Sequence, residues 1–226
     1  MIVKIYQIDT EKDKNNVKFM GRDQLEKYQG SSAVDASLYD EVYSGEVDAV
    51  TLEGVYGLFN GSTPIGLHRG HSLSVSDVVQ TEDGFFYCDR FGFKQIDFNI
   101  FKTHKPNNLL KVVYVEPGKP AVAGEMEPGL KGIQRAVQGH FEELHLEKNV
   151  FILCNEEAKI KGMKGNRSFN SGRSIIAGPF VVVATRGENY KSLTDAQTEK
   201  YLKLFEIPED ISDDETLADD EIKFIP

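Results

Sequence analysis

The chain has 226 residues, 40% of them hydrophobic and 10% aromatic, with 14 Phe, 9 Tyr and no Trp, enough apolar material for one or two cores. Its net charge of −10 speaks against broad binding to the DNA backbone and leaves only a local basic patch for such a role. No run reaches the roughly 18 apolar residues of a membrane span, residues 1–8 lack a signal peptide's apolar core and cleavage site, and Cys88 and Cys154 lie far apart in apolar runs, which points to buried free thiols in a cytoplasmic protein.

Residues 2–8 set Ile2, Lys4 and Tyr6 against Val3, Ile5 and Gln7, a β-rich alternation that predicts a strand. Residues 11–16 form a charged loop. Residues 22–29 predict a short helix with Leu25 and Tyr28 inward, stopped by Gly30. Residues 38–47, with Tyr39, Val42, Tyr43 and Val47, lean to a strand, helix being the alternative. Leu52, Val55, Tyr56 and Phe59 stand at helical spacing. Gly54 and Gly57 each weaken that helix by about 1 kcal/mol relative to Ala, so tertiary contacts must hold it. Asn60-Gly61 ends it.

Residues 66–79 carry the densest polar signal of the chain, Gly-Leu-His-Arg-Gly-His-Ser-Leu-Ser-Val-Ser-Asp-Val-Val. Leu73 and Val75 alternate with Ser72, Ser74 and Ser76, which predicts a strand with one apolar and one hydroxylic face. The alternation breaks at Asp77, where a bulge or turn is expected. Asp83-Gly84 marks a hairpin turn. The return strand carries Phe85, Phe86, Tyr87 and Cys88 on two covered faces, and Phe91-Gly92-Phe93 continues it around a bend to Ile96. Residues 104–108 have linker composition, so the first domain spans 1–103.

The second domain, 109–208, opens with a strand over 109–115, a turn at Glu116-Pro117-Gly118-Lys119-Pro120 and a returning strand over 121–126. Leu130, Ile133 and Val137 predict a helix closed by Gly139. Strands follow at 141–146 and 150–155. Residues 158–173 are polar and contain glycines, and residues 174–184 predict one strong strand, bent at its start by Pro179. Thr194 and Gln197 form a capping box for a helix with Tyr201, Leu202 and Phe205 inward and Pro208 at its end. Strands and helices intersperse with no regular βαβ repeat. The fold class is therefore α+β, two small mixed sheet-and-helix domains. An acidic tail over 209–226 holds Glu209, Asp210, Asp213, Asp214, Glu215, Asp219, Asp220 and Glu221 against Lys223 alone and is expected to be disordered for most of its length. Its apolar tip, Ile222, Phe224, Ile225 and Pro226, reads as solubilising chain or as a docking motif.

Two groups are candidates for binding. The basic stretch Lys159, Lys161, Lys164, Asn166, Arg167, Phe169, Asn170 and Arg173 has no acid among it. It could contact phosphates with Phe169 stacking on a base, dock an acidic protein or the chain's own tail, or be a solvated hairpin. The second patch is His68, Arg69, His71, Ser72, Ser74 and Asp77. With Cys88 and Asp89 it could supply metal ligands, but it lacks a second paired-ligand motif, so no metal is expected. A Ser/His/Asp triad needs its members to converge, and strand neighbours point to opposite faces. Residues 124–129 have a P-loop's first spacing, but Leu130-Lys131 stands where Lys then Ser or Thr is required. No catalytic residue and no cofactor is assigned.

Residues 5–8, Val42-Tyr43-Ser44-Gly45-Glu46-Val47, the 52–60 helix, and above all Gly70 to Val79 with Phe91-Gly92-Phe93 resemble the YodL-like domain. Val115-Glu116-Pro117-Gly118, residues 155–162, Asn166-Arg167, Ile176-Ala177-Gly178-Pro179-Phe180 and Ser192-Leu193-Thr194-Asp195 resemble a small domain of unknown function often encoded on phages and conjugative elements of Gram-positive gut bacteria. The resemblance brings no catalytic residues to carry over. It implies an accessory protein of a mobile element in a bacterial cytoplasm. The leading expectation is a non-enzymatic factor that binds an unknown host or element-encoded protein, with blocking of a host defence such as restriction as a special case and no membrane partner. The alternatives are a nucleic-acid-binding factor using 159–173 and, more remotely, a metal-dependent or hydrolytic enzyme around His68, His71 and Asp77.

Overall fold

The computed structural model describes residues 1–62, 65–105, 108–170, 172, 174–187 and 189–221, with residues 218–221 given by backbone alone. They form two compact units, Met1–Asn107 and Asn108–Pro226.

The first unit holds β1 (Ile2–Ile8), α1 (Arg22–Gln29), β2 (Tyr39–Glu46), α2 (Leu52–Phe59), β3 (Val78–Thr81), β4 (Gly84–Cys88) and β5 (Phe93–Ile96). The strands make one antiparallel sheet in the order β2-β1-β3-β4-β5. Strand β1 is central, and side chains alternate across its faces. Val3 and Ile5 join Val79, Leu73, Val55 and Phe59 in one core, while Tyr6 and Ile8 join Val78, Tyr87, Leu25 and Phe98 in the other. This explains why Val78 and Val79 are both apolar: each faces a different core. Burying Val55 and Phe59 returns about 1.5–3 kcal/mol apiece, which outweighs the roughly 2 kcal/mol that Gly54 and Gly57 cost α2. Helix α1 ends on Gly30 at φ 74 as expected, but Tyr28 is 57% exposed, so Leu25 is the one side chain that the helix buries.

One expected strand is absent. Residues 72–76 are loop, although Leu73 is buried. Ser76 takes φ 81, incompatible with an extended strand, and the Asp77 amide donates to the Ser74 carbonyl at 3.1 Å. The turn expected at Asp77 is present and has consumed the strand before it. The hairpin lies where Asp83-Gly84 predicts it, Thr81 facing Gly84.

The second unit holds β6 (Leu110–Val115), β7 (Val122–Met126), α3 (Leu130–Ala136), β8 (Phe141–Glu147), β9 (Val150–Asn155), β10 (Gly165–Phe169), β11 (Ser174–Ala177), β12 (Phe180–Arg186), β13 (Asn189–Lys191), α4 (Asp195–Leu204) and α5 (Asp213–Glu221). Its six-stranded sheet runs β7-β6-β12-β9-β8, with β13 beside β12. Val181 pairs with Tyr114 on one side and Leu153 on the other. Val113, Val115, Ile152, Phe180 and Val182 form a core with Tyr201 and Phe205 at the α4 end, and the alternate residues Val112, Tyr114, Leu153, Val181 and Val183 are buried as well. The capping box at Thr194 and Gln197 is formed. Of the three residues whose spacing predicts α3, Leu130 is 61% exposed, while Ile133 and Val137 are buried. Both cysteines are free and buried.

Residues 174–184 are two strands, not one. Gly178 at φ 71 followed by Pro179 breaks the run, so β11 pairs with β10 in a separate two-stranded sheet and β12 enters the large one. Thus β10 lies inside the polar, glycine-containing stretch, for which a hairpin is one of the readings. The first part of the acidic tail also departs from expectation: Ile211 and Thr216 are buried and α5 is helical. Ile222, Phe224, Ile225 and Pro226, the expected docking tip, lie outside the described residues.

Candidate functional site

The histidine-serine stretch is organised by a residue 64 positions upstream. Gln7, 3% exposed on the central strand, spends every hydrogen-bonding group of its amide on this loop. Its Nε2 donates to the His71 carbonyl at 2.9 Å and to Asp77 Oδ2 at 2.8 Å, and its Oε1 accepts from the His71 amide at 2.9 Å. Asp77 Oδ2 also accepts from the Ser74 amide at 2.7 Å. The close approach requires Gly70, because a Cβ there would stand 2.0 Å from Gln7 Oε1 and 2.9 Å from His68 Nε2. His68, His71 and Asp77 therefore do come together, around Gly70 and Gln7.

Both hydrogens of the Gln7 amide are used, so the 3.2 Å approach of its nitrogen to His71 Nδ1 is no third bond. His71 Nδ1 lies 2.7 Å from the Ser72 carbonyl, which assigns the ring proton to Nδ1. Burial lowers the His71 pKa and favours the neutral ring. Asp77 is fully buried. Burial pushes its carboxyl up to about 7, against the opposing pull of the Ser74 and Gln7 hydrogen bonds and of Lys18. Its Oδ1 and His71 Nε2 are buried with no hydrogen-bond partner among the described residues.

Two of the three serine hydroxyls in this stretch bond to backbone groups. Ser74 Oγ donates to the Ser72 carbonyl at 2.9 Å, and Ser76 Oγ accepts from the Phe19 amide at 3.0 Å. Arg69 reaches the Glu41 carbonyl at 2.8 Å, and the His68 ring meets Phe59 edge-on at 5.0 Å. Among the described residues no group of three or more His, Cys, Asp or Glu is arranged to hold a metal ion. The cluster fastens the 66–77 loop to β1. The sequence reading missed Gln7; the signal was an amide on the strand face that carries Val3 and Ile5.

The basic stretch of the second unit is rearranged more deeply. Arg167 is 1% exposed and Asn166 fully buried. The Arg167 guanidinium donates to the Asn166 carbonyl and Oδ1, each at 2.9 Å, to the Lys119 carbonyl at 2.8 Å and to the Phe205 carbonyl at 3.0 Å. Asn166 Nδ2 donates to the Val115 and Gly178 carbonyls at 3.1 and 2.7 Å. These two residues tie the β10–β11 hairpin to the edge of the large sheet and to the end of α4. Phe169 is half-buried and packs against the main core. Lys161 pairs with Glu157 at 2.8 Å, Lys159 is half-buried, Lys164 and Asn170 are exposed, and Arg173 lies outside the described residues. The basic stretch is not one exposed surface.

No curated protein and no solved structure matches the chain. Two family models do: residues 2–98 match the YodL-like domain, and residues 110–206 match DUF3846, a domain of unknown function. Each falls within one of the two compact units. The N-terminal half of the chain is accordingly similar to the YodL-like domain, and its C-terminal half to DUF3846.

Proposed function

We propose that the chain is a non-enzymatic accessory protein of a bacterial mobile element that acts in the cytoplasm by binding another protein, interference with a host defence being the special case. Its polar clusters support this reading. Asn166 and Arg167 are spent on the chain's own backbone, and His71 and Asp77 Oδ2 help to fasten the 66–77 loop.

The observation that carries the reading is the presentation of two phenylalanines in the first unit. Phe91 is 90% exposed and Phe101 93% exposed, and both sit on tied-down turns. The Phe91 turn is closed by the Asp89 amide donating to the Gly92 carbonyl at 2.9 Å, with Asp89 Oδ1 accepting from the Arg90 and Arg22 amides at 2.8 and 3.2 Å. The Phe101 turn is capped by Asn99 Oδ1 at 3.1 Å and by Thr103 Oγ1 on the Ile100 carbonyl at 2.7 Å. Aromatic side chains held ready in this way are favoured anchors at protein interfaces, because little conformational entropy is lost when they are buried.

The test is capture from host lysate with the full chain and with a Phe91→Ala, Phe101→Ala double variant. A stoichiometric partner that the double variant loses at unchanged melting temperature is the expected result. No stoichiometric partner, or one retained by the double variant, overturns the reading.

A further inference from the structure

The C-terminal segment lies beyond the residue where the DUF3846 match ends, 206, yet it is seated on the unit with specific contacts. Glu209 accepts from the Ser168 amide at 2.9 Å and from the Ser168 hydroxyl at 2.6 Å. Ile211 and Thr216 are 7% and 3% exposed. Both press on Gly165 of β10, where a Cβ would meet Ile211 Cγ2 and Thr216 Oγ1 at 2.6 Å each. Ser212 and Glu215 cap α5 reciprocally: the Ser212 amide donates to Glu215 Oε2 at 2.9 Å, and Ser212 Oγ accepts from the Glu215 amide at 3.3 Å. The segment is thus a carboxylate, a β-branched aliphatic two residues on and a capped acidic turn, read by a serine, a bare glycine and the hairpin around them.

The way the segment leaves the domain matters as much as its seat. Arg167 holds the Phe205 carbonyl, and the chain then passes through Glu206, Ile207 and Pro208, with Ile207 79% exposed. A short tether that joins a domain to a peptide bound on that same domain raises the local concentration of the peptide to the millimolar range. Such a site is filled in cis whether or not its intrinsic affinity is high.

We propose that the β10–β11 hairpin face around Gly165 and Ser168 is a peptide-docking site, occupied in cis by residues 209–217 and able to accept in trans an acidic peptide of the same chemistry. The carboxylate selects for the Ser168 amide and hydroxyl, and the absence of a side chain at Gly165 selects for the β-branched residue. This site is in the second unit and independent of Phe91 and Phe101, so its failure and the failure of the protein-binding reading above are separable.

The experiment is a fluorescence-anisotropy titration of a labelled peptide spanning residues 206–221 into three full-length proteins. In the wild type the site is filled and binding is expected to be weak. In a Glu209→Ala, Ile211→Asp variant the tail is released, which limited proteolysis within 209–221 reports, and the peptide is expected to bind about tenfold or more tighter. Adding Gly165→Val to that variant is expected to abolish binding. Because the released tail and the Gly165 substitution could each disturb the fold, melting temperature and far-UV circular dichroism are read on all three. Binding that is no tighter in the released variant, binding that survives Gly165→Val, or a tail that stays protease-resistant in the released variant overturns the proposal.

Discussion

Each unit contains a polar latch built on a different charge. In the first unit a buried carboxylic acid, Asp77, is held by neutral donors from Gln7 and Ser74. In the second a buried guanidinium, Arg167, is held by neutral carbonyls and the Asn166 amide oxygen. Neither charge has a buried counter-ion among these bonds. Arg keeps its proton at all ordinary pH values and saturates most of its fork with acceptors, so its latch is insensitive to pH. Asp77 can shed the burden by taking up a proton, and its unpartnered Oδ1 leaves the ionised form incompletely solvated. Two fasteners of similar geometry therefore respond differently to acid and base.

The largest expected effect tests the guanidinium latch. Arg167→Ala takes this donor from the Lys119 and Asn166 carbonyls and leaves the Phe205 carbonyl with the Ala121 amide at 3.2 Å; it is expected to cost the second unit roughly 3–5 kcal/mol, read as a shift of its urea midpoint. Arg167→Lys should recover little, because an ammonium cannot span the same acceptors in one plane. Rescue by Lys would show that the charge, not the fork, holds the hairpin.

Next comes the pH dependence of the first unit. Asp77 binds a proton more tightly in the folded state than in the unfolded chain, with a folded pKa of about 7 against an ordinary value of 3.8. Its stabilising contribution is therefore complete below about pH 4 and is lost as pH rises to about 7, an amplitude of about 4 kcal/mol. Asp77→Asn keeps an oxygen for Gln7 and Ser74 and removes the titration. The difference in unfolding free energy between wild type and variant should run with that slope between pH 4 and 7 and flatten above it. A pH-independent difference would place the Asp77 pKa at its ordinary value. The smallest effect is Gly70→Ala, which must push the Gln7 amide aside and is expected to cost roughly 1–3 kcal/mol, measured by thermal unfolding.

How far the sequence was legible follows from the range of the forces involved. The Gly30 stop of α1, the Asp83-Gly84 turn and the Thr194–Gln197 capping box are settled by residues within four positions of one another, and each lies where its pattern put it. Residues 72–76 alternate like a strand, but the turn that Ser74 and Asp77 close around Ser76 replaces it, and Gln7, which holds His71 and Asp77 on either side of it, lies too far along the chain for a local pattern to weigh. The same holds for Arg167, whose acceptors come from residues 119, 166 and 205. A charge run looks solvated until the fold supplies carbonyls to bury it. In the tail, eight acids hid the two residues, Ile211 and Thr216, that seat it. That His68, His71 and Asp77 cluster was readable as a suspicion; that an amide rather than a metal or a nucleophile gathers them was not.

The position of β12 bears on how the second unit is made. It lies between β6 and β9, yet it is synthesised after both. While the chain emerges from the ribosome, β6 with β7 and β8 with β9 can close as separate hairpins, each with one side of its ladder open. Exposed ladders of this kind invite pairing with other chains, and they stay open until residue 186 has been translated. Ribosome stalling or truncation between residues 156 and 179 would release two unjoined hairpins, so the interval of vulnerability during synthesis is set by where the central strand sits in the gene.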